Sequence, residues 1–221
     1  MKHTINNRPA RLVVLVSGGG SNMVALHRAC QSDGYGATIV AVGADRPCKG
    51  LDYAHKAGIP VFMESVKNYD TRQQWDKALT AQVAHYQPDL VICAGFLKLL
   101  GNDFVTRFSG RIINTHNSLL PSFPGIHGPA DALAYGVKYS GATLFFVDPG
   151  VDTGLIIAQT VVPVRDNDTP DSLLERIKVH ERKQLVESVG AMVVNGWTIQ
   201  GRRVSLNVDA TGDNSCTGSV G

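Results

Sequence analysis

Short runs that are apolar throughout alternate with longer runs in which an apolar residue recurs every third or fourth position. Arg11–Val16 is aliphatic beyond its first residue, as a strand buried on both faces requires. Thr38–Val42, Pro60–Met63 and Asp89–Ala94 read as three further strands. Between them lie helical patterns. Met23–Cys30 has Ala25, Leu26 and Ala29 on one side, and Leu51–Ala57 is closed by Gly58. In Asp70–Tyr86 the residues Trp75, Leu79, Val83 and Tyr86 keep helical spacing until Pro88 ends it. Strands alternating with helices predict βαβ units, a parallel sheet and right-handed crossovers.

The second half has a different rhythm. Arg111–Asn114 predicts a short strand, followed by a loop holding Pro121, Pro124 and Gly125. Ala142–Val147 and Ile156–Val164 predict neighbouring strands joined through Gly150–Gly154. Asp168–Val194 predicts a long helix with Asp168, Thr169 and Pro170 at its start. Trp197–Leu206, broken at Gly201, predicts a hairpin. Residues 1–10 are polar and expected to be flexible. Residues 207–221 are rich in Gly, Ser, Thr, Asn and Asp and expected to be disordered. One domain over 11–206 is expected, with halves at 11–110 and 111–206.

Composition narrows the classes. The chain has 221 residues, 43% hydrophobic and 18% charged, which suits one globular domain and excludes global disorder. A net charge of +2 gives no nucleic-acid footprint. The longest apolar run near the N-terminus, Leu12–Val16, is too short for a signal peptide core or a membrane span. Cys30, Cys48, Cys93 and Cys216 show no CxxC spacing, so a zinc or dithiol site is not expected. A cytoplasmic enzyme or small-molecule binder, with no membrane partner and no metal, is the expectation.

Ser17-Gly18-Gly19-Gly20-Ser21-Asn22 stands between a strand and a helix. Small residues there let backbone N–H groups approach an anion, and the helix N-terminus adds a favourable dipole. No Gly-Lys-Ser/Thr follows, so this is not a Walker loop, and Met23 takes the third glycine position of GxGxxG. A single phosphate suits it better than a pyrophosphate. Asp45, ending the second strand, keeps a dinucleotide reading open, and a tight turn without ligand is the plainer alternative.

Asn114-Thr115-His116 leaves a strand, and Asp152 lies 36 residues beyond His116 in a Gly-flanked loop. Residues i and i+2 of a strand share a face, so Asn114 and His116 would point to one site if the strand persists. Asn offers a neutral donor to an oxyanion, His titrates near neutrality, and Asp favours the charged imidazole. No Ser or Cys stands in a nucleophile elbow. The set suits direct acyl transfer between two bound substrates. A loop histidine bonded to backbone and a turn aspartate are the structural alternatives.

The segments LVSGGGSN (15–22), AGFLKLL (94–100), INTHNSLLPSFPGIHG (113–128), GVDTG (150–154) and IKVHE (177–181) resemble the folate-dependent formyltransferases, specifically the phosphoribosylglycinamide formyltransferase branch. The likeness runs from Leu12 to about Val189. It implies an open, doubly wound, mostly parallel α/β sheet of Rossmann-like form with helices on both faces. It implies transfer of the formyl group from 10-formyltetrahydrofolate, a co-substrate, to the amine of glycinamide ribonucleotide in purine synthesis. By the same resemblance Asn114, His116 and Asp152 are catalytic. Gly20, Ser21 and Asn22 hold the substrate phosphate, and Lys178, Val179, His180 and Glu181 meet the rest of that substrate. Arg72, Leu97, Lys98, Leu99 and Leu100, with Asn114 and the Asp148, Pro149, Gly150, Val151 and Asp152 loop, form the folate site. No metal is implied, and monomer and homodimer stay open.

Three positions depart from the pattern of the family: Asn117 replaces a Pro, Phe145 a His, and Gly19 an Asn or Thr. The nearest alternative is a formyltetrahydrofolate deformylase, expected to carry an extra N-terminal domain for which residues before Arg11 leave no room. A methionyl-tRNA formyltransferase is expected to have a basic C-terminal domain, and no Lys or Arg follows Arg203. Formyltransferases acting on nucleotide sugars, a dinucleotide-dependent oxidoreductase and a non-catalytic sensor fit less well.

Overall fold

A computed structural model describes residues 2–5 and 8–207. The strands are β1 (Lys2–His3), β2 (Ala10–Val16), β3 (Ala37–Ala44), β4 (Val61–Met63), β5 (Leu90–Cys93), β6 (Ile112–His116), β7 (Tyr139–Phe146), β8 (Ile156–Pro163), β9 (Trp197–Gln200) and β10 (Arg203–Leu206). The helices are α1 (Ser21–Cys30), α2 (Lys49–Lys56), α3 (Arg72–His85), α4 (Asn102–Arg107), α5 (Gly128–Tyr135) and α6 (Pro170–Asn195). A 3₁₀ turn covers Val66–Asn68.

Seven strands form the main sheet in the order β4-β3-β2-β5-β6-β7-β8. The first five run parallel, while β7 and β8 pair antiparallel. This is the expected mostly parallel α/β sheet. Alternation along β2 feeds two cores. Leu12, Val14 and Val16 pack with Met23 and Leu26 of α1, Ala54 of α2, and Leu185, Val189 and Met192 of α6. Val13 and Leu15 pack on the other face with Trp75, Leu79 and Val83 of α3 and Phe104 of α4. Each fully buried aliphatic side chain contributes about 1.5–3 kcal/mol. Cys93 belongs to the second core, and burial pushes its thiol up to about 12. It is packing material, as its apolar context suggested.

Several boundaries differ from expectation. Residues 1–10 are not simply loose: Lys2 and His3 pair with Thr198 and Trp197, and the His3 ring stacks on Trp197 at 4.8 Å. Arg8 pairs with Asp89. A second sheet therefore forms, in the order β1-β9-β10. Most of the expected tail, residues 208–221, lies outside the described residues. Helices α4 and α5 were not anticipated. Helix α4 is six residues long and receives its cap from α3, where Asp76 accepts from the N–H groups of Gly101 and Asp103. Such a cap is invisible to a local reading. Among the described residues no helix is long and apolar enough to cross a membrane.

Candidate active site

The parallel strands β2, β5 and β6 end on one edge of the sheet, where open α/β folds bind ligands. Ser17 ties two of the loops there together: its Oγ accepts from the Leu97 N–H at 2.8 Å, and its own N–H donates to the Gly95 carbonyl at 3.1 Å. Gly20 precedes α1 with φ +73°, and a Cβ there would lie 2.9 Å from the Gly50 Cα. Glycine is required on both counts. Gly18 and Gly19 have open space around them. The first turn of α1 thus presents Gly20, Ser21 and Asn22 to the edge. Asn22 is buried, its Nδ2 donates to Thr115 Oγ1 at 3.4 Å, and its Oδ1 has no partner among the described residues.

Strand β6 persists through His116, so Asn114 and His116 share a face, and Thr115 points to the α1 side. The Asn114 amide bonds to no described residue. His116 Nε2 donates to the Phe123 carbonyl at 2.9 Å, while its Nδ1 lies 3.6 Å from Asp152 Oδ2. That gap exceeds a hydrogen bond, so neither group saturates the other. Asp152 sits at φ +54°, and its Oδ2 also accepts from the Gly125 N–H at 2.8 Å. His116 is therefore both backbone-bonded and paired with Asp152, which unites the two sequence readings.

The Phe123 and Gly125 backbone groups were missed as members of the site. Pro121, Pro124 and Gly125 mark the loop in sequence, but no local signal says where its carbonyls point. Ser118 helps to fix that loop, donating to the Ser122 and Phe123 carbonyls at 2.6 and 3.1 Å.

The segment after β5 is only partly free to read a heterocycle through its backbone. The Leu97 N–H is taken by Ser17, and the Leu99 carbonyl accepts from Arg72 at 2.6 Å. Arg72, with its guanidinium 4.5 Å from the centre of the Trp75 ring, is thereby joined to this segment. Leu97 and Leu99 are each 64% exposed, an apolar surface that no described residue covers. Leu100 is half-buried. Lys98 turns toward Asp45, 3.9 Å away, and Arg46 pairs with the same carboxylate at 2.6 Å. Burial raises the Asp45 carboxyl, but its hydrogen bond and ion pair with Arg46 outweigh this and hold it below its ordinary value. With two cations of its own chain, Asp45 is poorly suited to a ribose. A cavity of about 410 Å³ opens beside it, lined among others by Met63, Lys67 and Lys98. The His116–Asp152 pair lies on the open edge instead.

In the loop after β7, Asp148 Oδ1 accepts from the Gly150 N–H and the Thr153 hydroxyl. Pro149, Gly150 and Val151 are exposed. Phe145 is buried and stands opposite Asn114 in the β6–β7 ladder.

On α6 the buried stripe runs Leu173, Ile177, Glu181, Leu185 and Val189. Glu181, a residue 5% exposed, interrupts it, and its carboxylate pairs with no described residue. Lys178, on the same side, donates to Glu175 at 2.8 Å. Val179 faces outward and His180 is half-buried, so the structure does not bring Val179 to the edge.

Comparison with known proteins matches these features. Residues 10–189 match the formyl transferase family. A phosphoribosylglycinamide formyltransferase from Mycobacterium tuberculosis is 51% identical over 203 residues, covering 92% of this chain and 94% of that one. The crystal structure of glycinamide ribonucleotide transformylase 1 from Symbiobacterium toebii superposes with a TM-score of 0.87 at 35% identity, over 93% of this chain and 98% of that one. A formyltetrahydrofolate deformylase from Burkholderia mallei superposes with a TM-score of 0.81 at 27% identity, over 92% of this chain and 72% of that one. With its Gly-rich loop, its Asn114–His116 strand end and 180 matched residues, the chain belongs to the formyl transferase family.

Proposed function

We propose that this chain moves the formyl group of 10-formyltetrahydrofolate onto the amine of glycinamide ribonucleotide in purine synthesis, as a cytoplasmic enzyme. The observation that carries the reading is the His116–Asp152 pair beside an unengaged Asn114 amide, on the edge that also holds the Gly20–Asn22 loop. The identity with phosphoribosylglycinamide formyltransferases along nearly the whole chain supports the choice of substrates.

The two substrates approach from the two faces. The phosphate lies against the first turn of α1, with the ribose or amine donating to Glu181, which supplies the missing partner of that carboxylate. Lys178 adds a cation nearby once Glu175 releases it. The folate ring lies over Leu97 and Leu99, between the Arg72 segment and the Asp148–Asp152 loop. The folate-site and substrate roles of the remaining residues follow the family.

The amine lone pair attacks the formyl carbon, and the C=O electrons move onto oxygen. The Asn114 amide donates to that oxyanion. The His116 ring lies beside it, held between the Phe123 carbonyl and Asp152. One such donor is worth about 10²–10³ in rate. The C–N bond to the folate then breaks, and the nitrogen takes up the proton that the attacking amine loses. Relay through His116 or an Asp152-bound water adds about 10²–10⁴. Phosphate binding, remote from the reacting atoms, aligns the amine.

The test is an absorbance assay for the folate product. Product that forms only when glycinamide ribonucleotide is present supports the transferase. Product formed without it makes water the acceptor and the chain a deformylase. No product in either mixture rejects both.

A further inference from the structure

We propose that Arg202 is a positioning residue for Asp152, clamping the peptide segment that follows it and so holding the carboxylate against His116. The proposal rests on the reading of Asp152 as the group that supports His116 during transfer. It assigns a role to the β9–β10 hairpin, which lies beyond the residues that match the family.

Asp152 needs such support. It is a non-glycine residue at φ +54°, a conformation that costs about 1–3 kcal/mol and persists only where the surroundings impose it. The loop around it is otherwise thinly held. Pro149, Gly150, Val151 and Thr153 are exposed, and the Asp148 contacts close the loop only upon itself. Arg202 reaches in from about 50 residues away. Its Nη2 donates to the Thr153 carbonyl at 3.1 Å and the Gly154 carbonyl at 3.3 Å. Those are the carbonyls of the two residues directly after Asp152. Gly154 also presses against β7, where an added Cβ would lie 1.6 Å from the Phe146 carbonyl oxygen. The segment thus meets both a strand backbone and a guanidinium.

The base of the clamp is rigid. Trp197 is buried, stacks on His3 and lies 6.1 Å from the Phe146 ring. Asn207 bonds to Thr198 and to the Asn195 carbonyl at the hairpin's foot. Val204 and Leu206 pack on the same core as Leu155 and Ile157 of the Asp152 limb. Gly201, at φ +59°, makes the turn that aims Arg202.

Arg202→Ala, Arg202→Lys and Arg203→Ala are compared with the wild type. Arg203 is exposed and bonds to no described residue through its side chain, so it reports general damage to the hairpin. In Arg202→Ala, kcat falls about 10–100-fold while KM for glycinamide ribonucleotide stays within about threefold, the scale of a misplaced catalytic group. Because one nitrogen makes both contacts, Arg202→Lys recovers most of the loss, and Arg203→Ala behaves as wild type. Amide hydrogen exchange gives a reading free of turnover. The Gly125 amide, whose acceptor is Asp152, exchanges at least about tenfold faster in Arg202→Ala. A wild-type kcat in Arg202→Ala, an equal loss in Arg203→Ala, or unchanged Gly125 exchange each overturns the clamp. If the wild type shows no glycinamide-ribonucleotide-dependent turnover, the functional reading fails by itself, and Gly125 exchange alone decides the clamp.

Discussion

Gly20–Asn22 and the His116–Asp152 pair sit on one edge of the sheet, yet they are built in opposite ways. The first is local. A strand, a glycine at φ +73° and the opening turn of α1 supply it from neighbouring residues. The second is gathered from β6, the Phe123–Gly125 loop, the loop after β7 and the C-terminal hairpin. On the proposed reading, the local part holds the substrate phosphate. The assembled part fixes how two groups meet at 3.6 Å, a distance set by four segments at once. Damage to the first should appear in substrate binding, and damage to the second in turnover.

Asp152→Asn is the sharpest way to break this contrast. It keeps the shape and removes the charge beside His116, so kcat should fall about 10²–10⁴-fold with KM for glycinamide ribonucleotide within a few-fold. Steady-state kinetics check this, and an unchanged kcat would remove Asp152 from the chemistry.

Gly20→Ala attacks the local part. The positive φ and the 2.9 Å approach to Gly50 should cost about 1–3 kcal/mol of stability and displace the start of α1. Urea denaturation reads the first effect. The second is a rise in KM for glycinamide ribonucleotide of at least about tenfold, with kcat at saturation nearly kept. A kcat effect larger than the KM effect would erase the division between the two regions.

Glu181→Gln sharpens it further. On the proposed reading this carboxylate meets the substrate and has no partner within the described residues to lose, so the variant should bind glycinamide ribonucleotide about tenfold more weakly and melt no lower than wild type. Calorimetric titration and a thermal melt test both halves. A lower Tm would mean that Glu181 is structural.

The smallest effect contrasts Glu181 with a paired acid at the start of the same helix. Hydrogen bonds from the Arg176 guanidinium and the Arg165 N–H hold the Asp168 carboxyl well below its ordinary 3.8. A lowered native value stabilises the fold above the unfolded value and is lost as pH falls through the native one. Asp168→Asn should therefore lower the urea midpoint near pH 6, by an amount that shrinks progressively as pH falls below about 4. A constant difference across that range would show that Asp168 acts through shape alone.

Much of this was legible before any coordinates. The aliphatic run of β2, the helical spacing of Trp75, Leu79 and Val83, and the glycine loop each declare their conformation within a few residues. Helix α4 did not, because its cap comes from Asp76 on another helix. The pairing of His3 with Trp197 did not either, because it joins the two ends of the chain. Asn114, His116 and Asp152 could be named from their motifs, but their relation could not.

The sequence by itself determined the α/β class, the alternation of buried and exposed positions, the glycine-rich turn into α1 and the identity of the candidate catalytic groups. These follow from steric and hydrophobic preferences that act over one or two turns of chain. Only the tertiary structure decided that the Phe123 carbonyl holds one nitrogen of His116 while Asp152 faces the other. It alone left Glu181 buried without a partner and brought Arg202 onto the Thr153 and Gly154 carbonyls. Those contacts join residues far apart in sequence, and their geometry is set by how helices and strands pack rather than by any local preference.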